Sequence, residues 1–226
     1  MKVMVFGASG MLGQGVLREC LRAHDVEQVL VVGRSALALE HPRLVQLVRA
    51  DLFALAPLQD RFAGFDACFF CLGALASGAD EAAYVRTNHD LPLAVAQVLV
   101  RANPAMAFVY LSGQGTDATE QGRVMWARVK GRTENALQRL GFRAAWMFRP
   151  GMIFPLNGEV SRTPLYRLVY RSMGWLRAPL QRLFPNTMLD TAQIGDAMLQ
   201  AAREGRGPRV LEPAAIHQLA MAARRR

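Results

Sequence analysis

Three glycines near the start of the chain have the spacing of a phosphate-binding loop, Gly7-x-x-Gly10-x-x-Gly13. They follow the apolar stretch 2–6 and open a stretch with helical character. A glycine-rich turn lets backbone approach a diphosphate, and the next helix offers free N–H groups and the positive end of its dipole. An ordinary structural turn is the alternative, but the strand–turn–helix setting favours a bound dinucleotide. The predicted loop residues are Gly7, Ser9, Gly10, Met11, Leu12 and Gly13.

Arg34 and Ser35 follow the second apolar stretch, 28–32, where a dinucleotide site selects its cofactor. Sites for NAD usually carry an acid here, which binds the ribose hydroxyls. A guanidinium instead binds a 2′-phosphate through two parallel hydrogen bonds. We therefore predict NADP (NADPH), with Arg34 and Ser35 on the 2′-phosphate. The alternatives are NAD as the cofactor and Arg34 as one solvated arginine among many.

Alternating strand and helix patterns position these residues. Apolar stretches predict strands at 2–6, 28–32, 44–48, 67–72, 107–111, 144–148 and 209–211. Helices are predicted at 11–21, 58–62, 81–102 with a kink or break at Pro92, 124–140, 191–203 and from 213 onward. Nearly continuous apolar strands that alternate with helices are typical of an α/β fold with a doubly wound parallel sheet. In such sheets, ligands bind outside the carboxyl ends of the strands.

The composition predicts one domain of ordinary size. The chain has 226 residues, of which 52% are hydrophobic. We expect a cofactor-binding core at 1–155 and a small substrate-side section at 156–226. No apolar run reaches the roughly 18 residues of a membrane span, and the strand-like N-terminus does not resemble a signal peptide. Three cysteines argue against a disulfide framework, so the predicted location is the cytoplasm.

The formal net charge of +9 invites a nucleic-acid interpretation. The basic residues are scattered, however, and no nucleic-acid-binding signature is present. Four widely separated histidines show no metal-ligand spacing. We therefore predict that the chain binds neither nucleic acid nor a metal. Its predicted partner is an unidentified small-molecule substrate, and the pattern indicates no particular oligomeric state.

The stretch 161–186 contains five arginines and no acid, interleaved with large apolar residues. Three interpretations remain open for it. The apolar residues could pack on the core beneath a solvated arginine face. The stretch could cover the substrate site, with arginines that meet an acidic or phosphorylated substrate. It could also make a peripheral contact with an anionic membrane surface.

Further motifs at the predicted strand ends resemble the short-chain dehydrogenase/reductase superfamily, specifically its atypical NADP-binding members. Asp51-Leu52 is similar to the family's adenine-side pair, and Cys71-Leu72-Gly73 to its fourth-strand loop. Pro150-Gly151 belongs to a segment that looks like the family's Arg-Pro-Gly motif beside the nicotinamide. The resemblance is strongest to Tat-interacting-protein-like and NAD-dependent epimerase-like oxidoreductases, and covers 1–155 well. It implies a Rossmann-type fold in which all three motifs bind the cofactor.

The resemblance also implies a catalytic serine and lysine, which match Ser112 and Lys130. In the family, the lysine contacts the nicotinamide ribose and the serine orients the substrate oxygen. The family's proton-transferring tyrosine corresponds to Trp126, whose indole cannot exchange a proton near neutral pH. Lys130 is one of only two lysines among 27 basic residues, which favours a specific role over that of a solvated helix lysine.

Three functions therefore remain open. The first is an NADP(H)-binding oxidoreductase or epimerase-like protein whose proton donor is not Trp126. The second is a non-catalytic NADP(H)-binding regulatory or scaffold protein, and the third is a membrane-surface redox protein. The Cys68-x-x-Cys71 spacing suggests a redox pair, but residues three apart on a strand point to opposite faces. We therefore interpret these cysteines as buried strand residues.

Overall fold

The computed structural model describes residues 1–76, 78, 80–156, 188–207 and 209–225. The strands are β1 (Lys2–Phe6), β2 (Gln28–Gly33), β3 (Leu44–Val48), β4 (Ala67–Phe70), β5 (Ala107–Leu111), β6 (Ala144–Phe148), β7 (Met152–Phe154), β8 (Met188–Asp190) and β9 (Val210–Leu211). Seven of them form one parallel sheet in the order β3-β2-β1-β4-β5-β6-β9. A second, two-stranded sheet pairs β7 with β8.

Helices connect the strands and cover both faces of the large sheet. They are α1 (Met11–Arg22), α2 (Glu81–Val85), α3 (Leu91–Ala102), α4 (Met125–Gln138), α5 (Thr191–Glu204) and α6 (Pro213–Ala223). A 3₁₀ turn spans Ala56–Phe62, and a π-helical turn, Arg86–Asp90, joins α2 to α3. Neither these helices nor any other described helix is both long and apolar enough to span a bilayer.

The core lies on both faces of the large sheet, because the central strands bury side chains on each side. In β1, Val3 and Val5 pack into one cluster while Met4 and Phe6 pack into the other. All four side chains are fully buried. The predicted doubly wound α/β fold is thus confirmed. The predicted division near residue 155 stays a prediction, and the stretch 161–186 lies outside the described residues.

Two predicted elements differ from the structure in ways that affect the site. The fourth strand ends at Phe70 rather than at 72, so Cys71 already belongs to the loop at the carboxyl edge. The predicted helix 81–102 is interrupted before Pro92, not at it, by the π-helical turn. Proline lacks the N–H that would bond to the carbonyl of Asn88 four residues earlier. The backbone therefore changes its hydrogen-bond pattern over that turn and leaves this carbonyl available.

Candidate cofactor site

The loop between β1 and α1 needs glycine at its first position. Gly7 has a φ of +83°, a region that other residues rarely adopt. A Cβ added there would lie 2.8 Å from the carbonyl carbon of Cys71 and the nitrogen of Leu72. The Gly7 carbonyl accepts the N–H of Gly10 at 3.0 Å, which closes the turn. The backbone of β1 thereby lies directly against the loop that follows β4.

The other two glycines have different roles. A Cβ on Gly13 would lie 2.1 Å from the Gly7 oxygen, so this glycine permits close packing of α1 on the loop. A Cβ on Gly10 would meet only the same oxygen, at 3.4 Å. Gly10 is the N-cap of α1; no side chain caps it, and the first turn carries no acid. The backbone N–H groups of that turn therefore suit an anion.

A cleft of about 490 Å³ opens at the carboxyl ends of the central strands. It lies where the strand order reverses between β1 and β4, the usual ligand position in such sheets. The cleft brings together the predicted residues Gly7, Ser9, Gly10, Arg34, Asp51, Leu52, Cys71, Leu72 and Gly73. An adjoining cleft of about 290 Å³ adds Ser35. The predicted cofactor residues that line neither cleft are Met11, Leu12, Gly13, Lys130, Pro150 and Gly151.

Several cleft residues were missed by the sequence interpretation. They are Ala50, Phe53, Ala74, Arg86, Thr87 and Leu91. The position of Phe53 directly after the Asp51-Leu52 pair was an available signal. Arg86 belongs to a family-like stretch, Tyr84-Val85-Arg86, but its type and spacing did not indicate a place in the cleft. Its contact with Phe53 at the cleft emerges only from the tertiary structure.

The two cysteines of the Cys68-x-x-Cys71 motif lie on opposite sides of the sheet. Cys68 belongs to one core cluster, whereas Cys71 packs against the other. Burial raises the pKa of the Cys71 thiol to about 12 and raises that of Cys68 well above its usual value. Neither sulfur is therefore a ready nucleophile near neutral pH.

Ser112, Lys130 and Pro150-Gly151 form a second group beside the cleft, at the ends of β5 and β6. Backbone hydrogen bonds hold the two segments together: the Ser112 N–H donates to the Phe148 carbonyl at 2.7 Å, and the Gln114 N–H donates to the Pro150 carbonyl at 3.0 Å. Since β4 neighbours β5 in the sheet, this group adjoins the Cys71 side of the cleft. A dinucleotide bound in the cleft would have its reactive end directed here.

The Ser112 hydroxyl is engaged by Thr116. Thr116 donates its proton to the Gly113 carbonyl at 2.7 Å, so Ser112 donates to the Thr116 oxygen at 3.0 Å. Ser112 therefore offers lone pairs rather than a proton to an incoming group. Trp126 covers the same loop, because Cβ atoms on Gly113 and Gly115 would lie 3.9 and 3.6 Å from its ring.

Lys130 is partly buried and points at the end of β5. Its Nζ donates to the Leu111 carbonyl at 3.3 Å and lies 3.5 Å from the Tyr110 hydroxyl. It also lies 5.1 Å from the centre of the Tyr110 ring, within the range of a cation–π contact. Burial lowers the pKa of Lys130 to about 8, although the nearby Glu134 carboxylate acts in the opposite direction. The lysine is therefore mostly cationic at neutral pH, but close to titration.

Tyr110 is anchored by the carbonyl that Pro92 leaves available. Its hydroxyl donates to the Asn88 carbonyl at 3.1 Å, and the Thr133 hydroxyl lies 2.9 Å from the same oxygen. Complete burial raises the Tyr110 pKa well above its usual value. Tyr110 is thus a fixed hydrogen-bond partner for Lys130 and not a proton donor that could replace the missing tyrosine.

Replacing Lys130 with Met is expected to raise the free energy of unfolding by about 1–2 kcal/mol at pH 7. A lysine pKa of about 8 in the folded state, against about 10.5 when unfolded, makes the charged form costly. Loss of the bond to the Leu111 carbonyl offsets part of the gain. In the wild type, the destabilisation caused by charged Lys130 is fully present below pH 8 and disappears as the pH rises toward 10.5. Urea unfolding at pH 7 and pH 10 should therefore show a shrinking difference between variant and wild type.

The control for this prediction is Lys2→Met, because Lys2 is the other lysine of the chain and is exposed. Its effect should stay within about 0.5 kcal/mol at both pH values. Carbon-13 labelling of lysine gives only these two signals, so the Lys130 titration can be followed directly by NMR. A midpoint above pH 10 for Lys130 would contradict the predicted cost.

Arg149, just before Pro150-Gly151, is a structural residue. Its guanidinium donates to Glu134 with contacts of 2.6, 3.0 and 3.2 Å, and to Glu212 at 3.1 Å. The Glu134 side chain is 1% exposed and that of Arg149 is 11% exposed. These hydrogen bonds raise the Arg149 pKa above its usual value. The buried pair ties the end of β6 to α4, one turn beyond Lys130.

Sequence comparison places the chain among nucleotide-cofactor proteins. The profile of the NAD-dependent epimerase/dehydratase family matches residues 3–122, which include the glycine loop and both clefts. Protein HTATIP2 of Rattus norvegicus is 30% identical over 158 residues, or 67% of this chain and 62% of that protein. The match thus spans less than two thirds of the rat protein. The mitochondrial protein fmp52-2 of Aspergillus terreus is 25% identical over 208 residues, which cover 90% of this chain and 89% of that protein.

The fungal relatives correct one prediction made from the sequence. Five of them are named as mitochondrial proteins, so the predicted cytoplasmic location is wrong. That prediction depended on the cysteine count and the absence of a signal peptide. Both features describe the redox environment of a protein, and neither distinguishes one reducing compartment from another.

Comparison with solved structures supports the fold. The enzyme WbmF of Bordetella bronchiseptica, determined in complex with NAD+, superposes with a TM-score of 0.68 over 99% of this chain and 77% of that chain. Its sequence identity is 18%, so the likeness concerns architecture. A nicotinamide dinucleotide is the cofactor class that the family profile and the cleft both support. Since the profile matches more than half of the residues, the chain belongs to the NAD-dependent epimerase/dehydratase family.

Proposed function

We propose that this protein is an NADP(H)-dependent oxidoreductase or epimerase-like enzyme acting on a small molecule. The observation that carries the proposal is the cleft in which the glycine loop and Arg34 lie together. Arg34 stands where a carboxylate would repel a 2′-phosphate, and it has no ion-pair or hydrogen-bond partner among the described residues. A guanidinium free of other partners favours binding of the phosphate that distinguishes NADP from NAD.

In this proposal, different residues bind different parts of the cofactor. The N–H groups at the start of α1 would hold the diphosphate, and Asp51 and Leu52 would border the adenine. Lys130 would contact the nicotinamide ribose from the end of β5. The bound cofactor supplies hydride transfer, which is its own chemistry. Ser112, whose proton is directed to Thr116, would accept a hydrogen bond from the substrate or from a water that serves as the proton donor.

A second candidate function is a non-catalytic NADP(H)-binding regulator, and Trp126 is the observation that favours it. In the family-like motif the indole replaces the proton-transferring tyrosine, and its ring covers the loop 113–115. Such a protein would bind the cofactor tightly without turnover. Reduction of any carbonyl substrate by the wild-type protein with NADPH would exclude this candidate and support the enzyme.

The proposed cofactor preference is tested with Arg34→Asp. The wild type should bind NADPH at least tenfold more tightly than NADH, measured by calorimetry and tryptophan fluorescence. The aspartate removes the phosphate contact and adds repulsion, so NADPH affinity should fall about a hundredfold while NADH affinity changes little.

The matched control is Arg61→Asp, which reverses one charge on the 3₁₀ turn outside both clefts. It should alter neither affinity by more than about twofold. Equal binding of NADPH and NADH by the wild type would refute the NADP preference but leave a nicotinamide site in place. Binding of neither dinucleotide would refute the proposed function itself.

A further inference from the structure

Arg86 is held against the cleft by an aromatic ring. Its guanidinium carbon lies 4.6 Å from the centre of the Phe53 ring, and both residues line the cleft. Phe53 is itself fixed, since its backbone N–H donates to the Asp51 carboxylate at 2.9 Å. A guanidinium stacked on a ring keeps its N–H groups at the edge of the stack, where they can donate. The pair therefore presents donors in a defined position without any protein acceptor.

No carboxylate neutralises Arg86 among the described residues. Arg128 differs in this respect, because it forms an ion pair with Glu81 at 3.2 Å. Glu81 lies only five residues before Arg86 in the chain. Glu81 thus serves the other arginine and leaves Arg86 with the ring alone. Two arginines without an ion-pair partner among the described residues, Arg34 and Arg86, line the same cleft, Arg34 just after β2 and Arg86 after α2. Both side chains are exposed, so water screens their charges in the free protein and leaves both guanidinium groups available to a bound anion.

The charges that line the cleft favour a phosphate. Arg34 and Arg86 contribute two positive charges and Asp51 one negative charge. Part of the Asp51 carboxylate is already used, because one oxygen accepts the Phe53 N–H. A phosphomonoester carries close to two negative charges near neutral pH and offers three acceptor oxygens, so it can accept from two guanidinium groups at once.

We infer that Arg86, supported by Phe53, is a second specificity-determining residue, which binds the 2′-phosphate of NADP(H) together with Arg34. The inference rests on the proposed function, since it deepens the account of the same site. Arg86 lies where α2 passes into the π-helical turn, and its stacking on Phe53 holds its side chain at the cleft. Cofactor preference would then depend on two arginines from separate stretches of the chain.

The experiment uses two fragments that differ only in the phosphate, 2′,5′-ADP and 5′-AMP. Calorimetry is carried out on the wild type, Arg86→Met, Arg34→Met and the double variant. For Arg86→Met, the affinity for 2′,5′-ADP should fall about tenfold, as expected for loss of a charge-assisted contact, while that for 5′-AMP changes less than twofold. The double variant should bind the two fragments almost equally.

Three further variants separate this role from simpler ones. Arg101→Met removes one exposed positive charge outside the cleft and should leave both affinities unchanged. Phe53→Leu removes the supporting ring and should weaken 2′,5′-ADP about threefold, whereas Phe53→Tyr keeps the ring and the wild-type affinity. Thermal melting of each variant checks that the fold is intact.

The possible outcomes distinguish this inference from the proposed function. An equal loss for both fragments in Arg86→Met would mean that Arg86 contacts the base or ribose, and would overturn the phosphate assignment. Unchanged binding of 2′,5′-ADP by Arg86→Met, in a protein where Arg34→Met still loses it, would overturn the inference alone. A wild type that binds neither fragment nor NADPH would overturn both.

Discussion

Replacing Arg149 with Met should lower the free energy of unfolding by about 3–5 kcal/mol, because it leaves the Glu134 carboxylate buried without its partner. Glu134 is 1% exposed and receives three close contacts from the guanidinium. The second carboxylate on Arg149, that of Glu212, is half exposed and gains little from the pair. Urea unfolding followed by circular dichroism gives the change directly.

The double variant Glu134→Leu with Arg149→Met provides the decisive comparison. Removing both charges leaves neither partner of this pair as an unpaired buried ion, so most of the lost stability should return. Arg139→Met, at the exposed end of α4, is the control for loss of an arginine and should change stability by less than about 0.5 kcal/mol. A loss below 1 kcal/mol for Arg149→Met alone would show that this pair does not tie β6 to α4.

Replacing Gly13 with Ala should destabilise the protein by about 3 kcal/mol or more and abolish dinucleotide binding. The added Cβ would lie 2.1 Å from the Gly7 oxygen and 2.6 Å from the Gly7 carbonyl carbon. Both contacts are with backbone, which cannot rotate away as a side chain could. Either α1 must move away from the loop or the loop must lose the conformation that would hold the diphosphate under the proposed function. Unfolding curves and NADPH calorimetry measure the two consequences.

Gly10→Ala is the matched control in the same loop. Its Cβ would meet only the Gly7 oxygen, at 3.4 Å, and its backbone angles suit other residues. The fold should therefore lose no more than about 1 kcal/mol, the usual effect of alanine at an N-cap. Since Gly10 lines the cleft, NADPH affinity should still fall. If the Gly13→Ala variant were as stable as the Gly10→Ala variant, the packing role of Gly13 would be refuted.

The burial of Lys130 has a functional meaning under the proposed function. The fold holds an ammonium group where it lowers the stability of the protein at neutral pH, and it supplies Tyr110 and the Leu111 carbonyl as partners. Groups that a fold retains at a cost to stability are often those that bind a ligand. An anionic cofactor next to Lys130 would offset this loss of stability, because its negative charge favours the protonated lysine.

Much of the fold could be predicted from the sequence because the signals are local. Short, nearly continuous apolar stretches such as 107–111, alternating with helical patterns, are typical of parallel strands that bury side chains on both faces beneath helices on each side. The spacing of Gly7, Gly10 and Gly13 predicted a phosphate loop for a similar reason, since it depends on the backbone of one turn. The residues at the strand ends could then be assigned to one edge of the sheet.

The interior of the predicted helix 81–102 could not be described from the sequence. Pro92 predicts an interruption of the helix. Whether the helix breaks, kinks or forms a π-helical turn depends on which groups around Pro92 accept or donate hydrogen bonds. Here the Tyr110 hydroxyl uses the freed Asn88 carbonyl, and Tyr110 is 22 residues away in the chain. Arg86 begins that turn, and its stacking on Phe53 likewise depends on a residue from a separate stretch of the chain.

The sequence by itself predicted the α/β fold, which the structure confirms, and a glycine loop and strand ends that the structure gathers around one cleft. Only the tertiary structure showed that Arg149 pairs with Glu134, that Lys130 is held by Tyr110, and that Arg86 stacks on Phe53 in the cleft that Arg34 also lines. The physical reason is the range of the interactions. Backbone preferences and apolar periodicity act over a few residues, whereas ion pairs, cation–π contacts and pKa shifts depend on which distant side chains meet and how much water remains between them.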